Sequence, residues 1–294
     1  MKNSNHSSTR LIKHSLHCLV CTLFACVANA ATNPPEQPLT STLSVDINAA
    51  YNPAAVAIKA RAFTQYTYHR SRSPLWNDLY VQAGVQNLTN PAFISAGGHI
   101  EWMPIAIFKL RAQYDHLFFN GAFGSLLDFA TAGEAYGDEV QSQRRGSEVT
   151  GHANRFSVHP TLRAKAGRFI FRNAANFYRL YFPEGGPFYL DKEYDILVGQ
   201  VDTLVSNKLF LMYDWGEPRL KQQKLGGLYY EYTHSDKAKL TRQRLGVIWF
   251  QSPFANYAFL DRPRWYILSA YNLTDRNRGQ SIYLALGIGA DLHF

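Results

Sequence analysis

Apolar and polar residues alternate with a period of two along most of this chain, the repeat of a strand whose two faces meet different surroundings. The clearest case is Ala55 to His69. Val56, Ile58, Ala60, Ala62, Tyr66 and Tyr68 share one face there, and Lys59, Arg61, Gln65, Thr67 and His69 share the other. Leu43, Val45, Ile47 and Ala49, alternating with Ser44, Asp46 and Asn48, give a weaker strand over 41–50. The same design predicts strands at about 78–86, 92–102, 105–118, 152–165, 168–181, 194–204, 208–216, 224–234, 239–250, 263–272 and 280–294. With 55–69 these make twelve.

Met103-Pro104 and Ala166-Gly167 are tight connections, whereas 119–151 is the longest. Long connections of a membrane barrel face outward and short ones inward. Counted back from Phe294, the twelve strands place 119–151 among the short turns. Adding 41–50 and the segment Asn256 to Leu260 restores it to the outer side, so an antiparallel barrel of 12 to 14 strands is predicted.

The last strand carries the most specific signal. In Gln280 to Phe294, QSIYLALGIGADLHF, the residues Ile282, Leu284, Leu286, Ile288, Ala290, Leu292 and Phe294 oppose Tyr283, Ala285, Gly287, Gly289, Asp291 and His293. This ending resembles the assembly signal of bacterial outer-membrane β-barrel proteins, Gly-x-x-apolar-x-aromatic, at Gly289, Leu292 and Phe294. Gly287 departs from the usual polar residue. The resemblance implies an all-β transmembrane barrel in the bacterial outer membrane, over 41–294. Its implied partners are outer-membrane lipid, lipopolysaccharide, and the barrel-assembly machinery through the C-terminal strand.

The N-terminus points the same way. Lys2, Arg10 and Lys13 precede an apolar stretch from Leu16 to Val27, followed by Ala28-Asn29-Ala30, the layout of a secretory signal over 1–30. Leu23-Phe24-Ala25-Cys26 also fits a lipoprotein box, with Cys26 as a lipidation site. Residues 31–40, with three prolines, read as a periplasmic leader. Cys18, Cys21 and Cys26 all fall in the signal, so the mature chain offers no disulfide, thiolate ligand or cysteine nucleophile. Removing Lys2, Arg10 and Lys13 from the 30 basic residues leaves 27 against 22 acidic, a net charge of +5. In a secreted membrane chain that mild excess does not indicate nucleic acid.

After the signal no run of 18 apolar residues occurs, although 46% of the chain is apolar, which excludes a helical membrane protein. The 18 Tyr and 19 Phe suit aromatic girdles at two membrane interfaces.

Four strands carry basic residues two apart on the face opposite their apolar one: Lys59 and Arg61, Lys109 and Arg111, Arg163 and Lys165, Arg242 and Arg244. A basic side chain facing lipid at mid-depth costs about 2–4 kcal/mol, so these eight are assigned to the lumen. There they either pair with carboxylates such as Asp115 or form a wall attracting small anionic solutes. In the 119–151 connection, GAFGSLLDFATAGEAYG is too apolar for a free loop and is expected to fold into the barrel mouth, setting acidic residues against that wall.

The chief expectation is therefore a passive channel or solute-binding barrel favouring small anions. A plugged structural or envelope-assembly barrel is one alternative, and a lipid hydrolase at the outer rim is another. The spacing of His69 and Ser71 is similar to the His-x-Ser of outer-membrane phospholipases and lipid A deacylases, but Arg72 stands where those families carry Asn. His234-Ser235-Asp236 reads as a hairpin turn, because adjacent strand residues face opposite ways. His99 and Glu101 share a face, but no set of residues has metal-ligand spacing, and no cofactor or metal is expected.

Overall fold

The computed structural model describes residues 39–69, 73, 75–76, 78–183, 186–217, 222–253, 256–257 and 260–294. The signal and most of the leader lie outside them. In chain order the strands are β1 (Leu39–Tyr51), β2 (Ala55–His69), β3 (Leu79–Thr89), β4 (Phe93–Ile105), β5 (Phe108–Asn120), β6 (Asp128–Phe129), β7 (Thr150–Ala166) and β8 (Phe169–Tyr181). They continue as β9 (Phe188–Asp191), β10 (Ile196–Gly199), β11 (Val201–Asp214), β12 (Gln223–Ser235), β13 (Leu240–Ser252), β14 (Asn256–Tyr257), β15 (Leu260–Thr274) and β16 (Ile282–His293). One short helix, α1 (Asp138–Gln143), sits between β6 and β7.

Thirteen strands form one antiparallel sheet, and setting aside the two-residue β14 leaves twelve long ones. The sheet closes on itself: β1 pairs with β16, and β13 with β15. Closure leaves the barrel no open edge, the condition for backbone to cross hydrocarbon with its hydrogen bonds satisfied.

The alternation is inside-out. On β16, Ile282, Leu284, Leu286 and Ile288 are exposed, while Ala285 is buried. On β3 to β5, the polar Gln82, Gln86, His99, Glu101, Gln113 and Asp115 are buried, while Val85, Ile100 and Tyr114 are exposed. The exposed apolar faces make a continuous lipid-facing surface. Gly97 on the inner wall has no room for a larger residue, since a Cβ there would lie 2.5 Å from the Asp115 carboxylate and 2.0 Å from the Tyr114 carbonyl oxygen.

Two of the sequence-based strand assignments need correction. The segments 194–204 and 208–216 are not two spanning strands. Residues 201–214 form the single strand β11, and 196–199 belong to a hairpin outside the barrel wall. Leu204 and Phe210 point inward beside Ser206 and Lys208, which hides the period of two, and Ser206-Asn207 is no turn. Asn256 to Leu260 is not a spanning strand either, because β14 is a two-residue pairing with β15. Strand 41–50 is present within β1. These changes give twelve strands and place 119–151, 182–200 and 275–281 together at the end opposite Leu39 and Phe294. We call it the outer end.

Candidate functional site in the lumen

The outer mouth is filled by chain. The hairpin β9–β10 pairs through β9 with β6 in a separate three-stranded sheet. One face of the hairpin, with Tyr189, Tyr194, Ile196 and Val198, packs on inward residues of the barrel, among them Phe93, Leu117, Phe119, Leu180 and Leu204. Its other face, with Leu190 and Leu197, packs under Leu127, Phe129 and Tyr136 of the 119–151 connection. Each such buried side chain contributes about 1.5–3 kcal/mol, so the hairpin is a packed element. The continuous run Ile196-Leu197-Val198 is thereby covered on both faces.

The fold-back expected of 119–151 is thus carried out by 182–200, and 119–151 is the lid over it. Arg278 clamps the lid and the hairpin to the rim. It donates to Asp138 of α1, to Asp195 of the hairpin and, at 2.8 Å, to Asn52. The hydrogen bonds from Arg278 hold the Asp138 carboxyl below its ordinary range. Above the hairpin, a cavity of about 910 Å³ opens among the 52–54 and 90–92 turns and the lid.

The hairpin tip, Asp191 to Asp195, reaches down into the lumen. Asp191 Oδ1 accepts from the backbone N–H of Glu193 at 2.9 Å and of Tyr194 at 2.8 Å, which fixes the turn. The Glu193 carboxylate meets Arg155 of β7 at 2.5 Å. Burial opposes ionisation of Glu193, but Arg155 outweighs it and holds the carboxyl below its ordinary value. Tyr194 bonds the Tyr178 hydroxyl at 2.5 Å, and its carbonyl accepts from Arg242 across the barrel.

Below the tip the eight basic candidates all line the lumen, and most carry carboxylate partners. Lys109 and Arg111 share Glu101 at 3.2 and 2.6 Å, and Tyr80 donates to its second oxygen at 2.6 Å. Arg242 and Arg244 share Glu231 at 3.9 and 3.3 Å. Arg61 lies 4.0 Å from Asp46, and Lys165 lies 2.9 Å from Asp214 at the inner end. Arg163 donates to the Ala106 carbonyl at 2.9 Å. Lys59 and Arg163 have no carboxylate partner among the described residues.

Asp115 pairs with none of the eight; its partner is Arg155, at 3.2 Å. Arg155, Arg172 and Lys208 have no second cation two residues away to mark them in the sequence, whereas Arg264 follows Arg262 across Pro263. The signal for Glu193 was the turn Asp191-Lys192-Glu193 between the short apolar runs Phe188-Tyr189-Leu190 and Ile196-Leu197-Val198.

Opposite this polar wall lies an aromatic one. Phe210, Tyr229, Tyr266 and Tyr283 line a cavity of about 360 Å³ whose cations are Arg172, Lys208 and Arg264. Arg172 stands over the Phe210 ring at 5.6 Å and has no ion pair among the described residues. The lumen therefore sets cations from several strands against a face of rings.

On the outside, Trp102, Trp215, Trp249 and Trp265 sit at the inner ends of β4, β11, β13 and β15, and Trp76 lies in the adjoining connection. Trp215 and Trp249 stack at 5.5 Å. All five tryptophans of the chain thus ring one end, while Tyr51, Tyr114, Tyr181 and Tyr271 ring the other. A closed barrel with an apolar outer band between two aromatic girdles is built to cross a bilayer. Its architecture is that of an outer-membrane β-barrel.

Solved structures similar to it include the β domain of the Bordetella autotransporter Brka, with 11% identity, a TM-score of 0.43, and coverage of 87% of this chain and 99% of that one. The KdgM porin, solved in complex with disordered oligogalacturonate, is similar with 7% identity and a TM-score of 0.37, covering 86% and 99%. The NanC porin gives 8% identity and a TM-score of 0.40, covering 85% and 98%. No protein-family model and no curated protein matches the chain.

The barrel offers little to the hydrolase reading. His69 ends β2 at the inner end, away from the outer rim where that reading needs it, and Ser71 lies outside the described residues. In His234-Ser235-Asp236, His234 bonds Thr241 outside, while Ser235 donates to Asp202 inside. His99 bonds Gln82 at 3.1 Å, and no group of potential metal ligands occurs among the described residues.

Proposed function

We propose that this barrel is an outer-membrane channel for small anionic solutes, closed at its outer mouth in the conformation described. The observation that carries the reading is the set of lumen cations with no carboxylate in ion-pair range among the described residues, Lys59, Arg163 and Arg172. Inside a low-dielectric wall such an excess focuses positive potential along the lumen and raises the local concentration of anions. The aromatic face opposite supplies contact area for a solute's carbon skeleton.

Outward, the barrel is set among outer-membrane lipid. Arg179 on β8 and the stacked His116 and His152 are placed to meet lipopolysaccharide phosphates at the outer rim. Assembly through β16 by the barrel-assembly machinery belongs to the same proposal.

The test is the reversal potential of the refolded protein in planar bilayers under a KCl gradient. An anion-biased potential that falls toward zero in Lys59→Gln/Arg172→Gln is expected. Unaltered selectivity in that variant refutes the mechanism.

A further inference from the structure

The carboxylate of Glu193 extends from the hairpin tip to the barrel wall. It is about one-third exposed, whereas Asp115 on the wall is fully buried, so Glu193 faces the open space beneath the hairpin. Arg155 of β7 bonds it directly at 2.5 Å, and Lys59 of β2 and Lys208 of β11, the latter itself held by Glu231 at 3.6 Å, add longer-range attraction.

Arg155 is prepared to hold such a group. Its Nε and Nη2 both bond Asp115 at 3.2 Å, leaving Nη1 for Glu193. Withdrawal of Glu193 would leave the guanidinium oriented by Asp115, with one donor unpaired and turned to the lumen, a situation that favours any carboxylate able to replace it. Lys59 has no other partner among the described residues and would be left likewise.

We infer that Arg155, with Lys59 adding longer-range attraction, forms a carboxylate-binding subsite in the lumen, occupied in the closed barrel by the chain's own Glu193. This rests on the anion-channel reading and names the class of anion: a solute carboxylate competes with the hairpin tip for one site. Occupation by solute and seating of Glu193 on Arg155 exclude each other.

The test is calorimetric titration of potassium gluconate, with uncharged sorbitol as control, into the folded barrel in detergent. In the wild type, gluconate must displace Glu193. In Glu193→Gln the competing charge is gone, and gluconate is expected to bind at least about tenfold tighter. Glu193→Asp, which keeps a carboxylate on the tip, is expected to bind near the wild-type level, and Glu193→Ala, which removes it, to bind as tightly as Glu193→Gln and to serve if the Gln variant fails to fold. Adding Lys59→Gln to Glu193→Gln should remove most of the gain. Equal affinities in wild type and Glu193→Gln, or sorbitol binding as well as gluconate, overturn the subsite. The bilayer measurement separates the two readings: tighter binding without conductance sinks the channel alone, and anion conductance with equal binding sinks the subsite alone.

Discussion

Arg155 holds two carboxylates at once, Asp115 on its neighbouring strand and Glu193 on the plug, and so joins the barrel wall to the segment that closes the mouth. A buried guanidinium between two acids is stable only while its desolvation is repaid by good geometry. Arg155 thus couples wall and plug, beside Tyr178 and Arg242, which bond Tyr194.

Glu101 plays the matching part lower in the wall. It is nearly inaccessible and accepts from Lys109, Arg111 and Tyr80. Glu101→Gln strands two cations and is expected to cost about 3–5 kcal/mol of unfolding free energy, as breaking a buried ion pair does. Urea unfolding in lipid vesicles checks this, and the same variant should shift the reversal potential further toward anions.

Asp191 gives the plug a pH dependence. Burial and the neighbouring Glu193 carboxylate push its pKa up from the ordinary 3.8 to about 6. The docked hairpin holds a proton that the free one releases between those values. Docking is therefore favoured at pH 5 relative to pH 8, with a difference of about 1.4 kcal/mol. Asp191→Asn keeps the acceptor for the backbone N–H groups of Glu193 and Tyr194 without the charge. Protease cleavage within 182–200 should accelerate between pH 5 and pH 8 in the wild type and stay level in Asp191→Asn.

Gly97 sets how closely β4 approaches β5. Gly97→Ala places a methyl group against the Tyr114 carbonyl and the Asp115 carboxylate. Overpacking of this kind costs about 1–3 kcal/mol. A lowered urea midpoint with weakened protection of the hairpin is the expected pair of readouts, because Asp115 orients Arg155.

The indole ring fixes orientation. With all five tryptophans at the end bearing Leu39 and Phe294, iodide confined to one side of oriented proteoliposomes should quench nearly all the fluorescence from that side and little from the other. Comparable quenching from both sides would contradict the arrangement.

Much of this barrel was legible from alternation, because lipid outside and a polar filling inside oblige successive residues to differ. That contrast is strong on β2, where Val56, Ile58 and Ala60 oppose Ala57, Lys59 and Arg61, and on β16. It fails on β11, where Leu204 and Phe210 face inward onto the plug and the aromatic wall, so that both faces read as apolar.

Alternation along the chain was enough to specify an antiparallel barrel and the inward direction of all eight paired cations. Each follows from local covalent geometry and the cost of facing a charge to lipid. Only the tertiary structure decided which connection fills the mouth, which cations are neutralised, and that Glu193 meets Arg155. Those depend on which strands become neighbours around the ring: Arg155 and Glu193 lie 38 residues apart, and Arg264 and Asp46 lie 218 apart. A period of two records the face of each side chain but not its partner across the lumen.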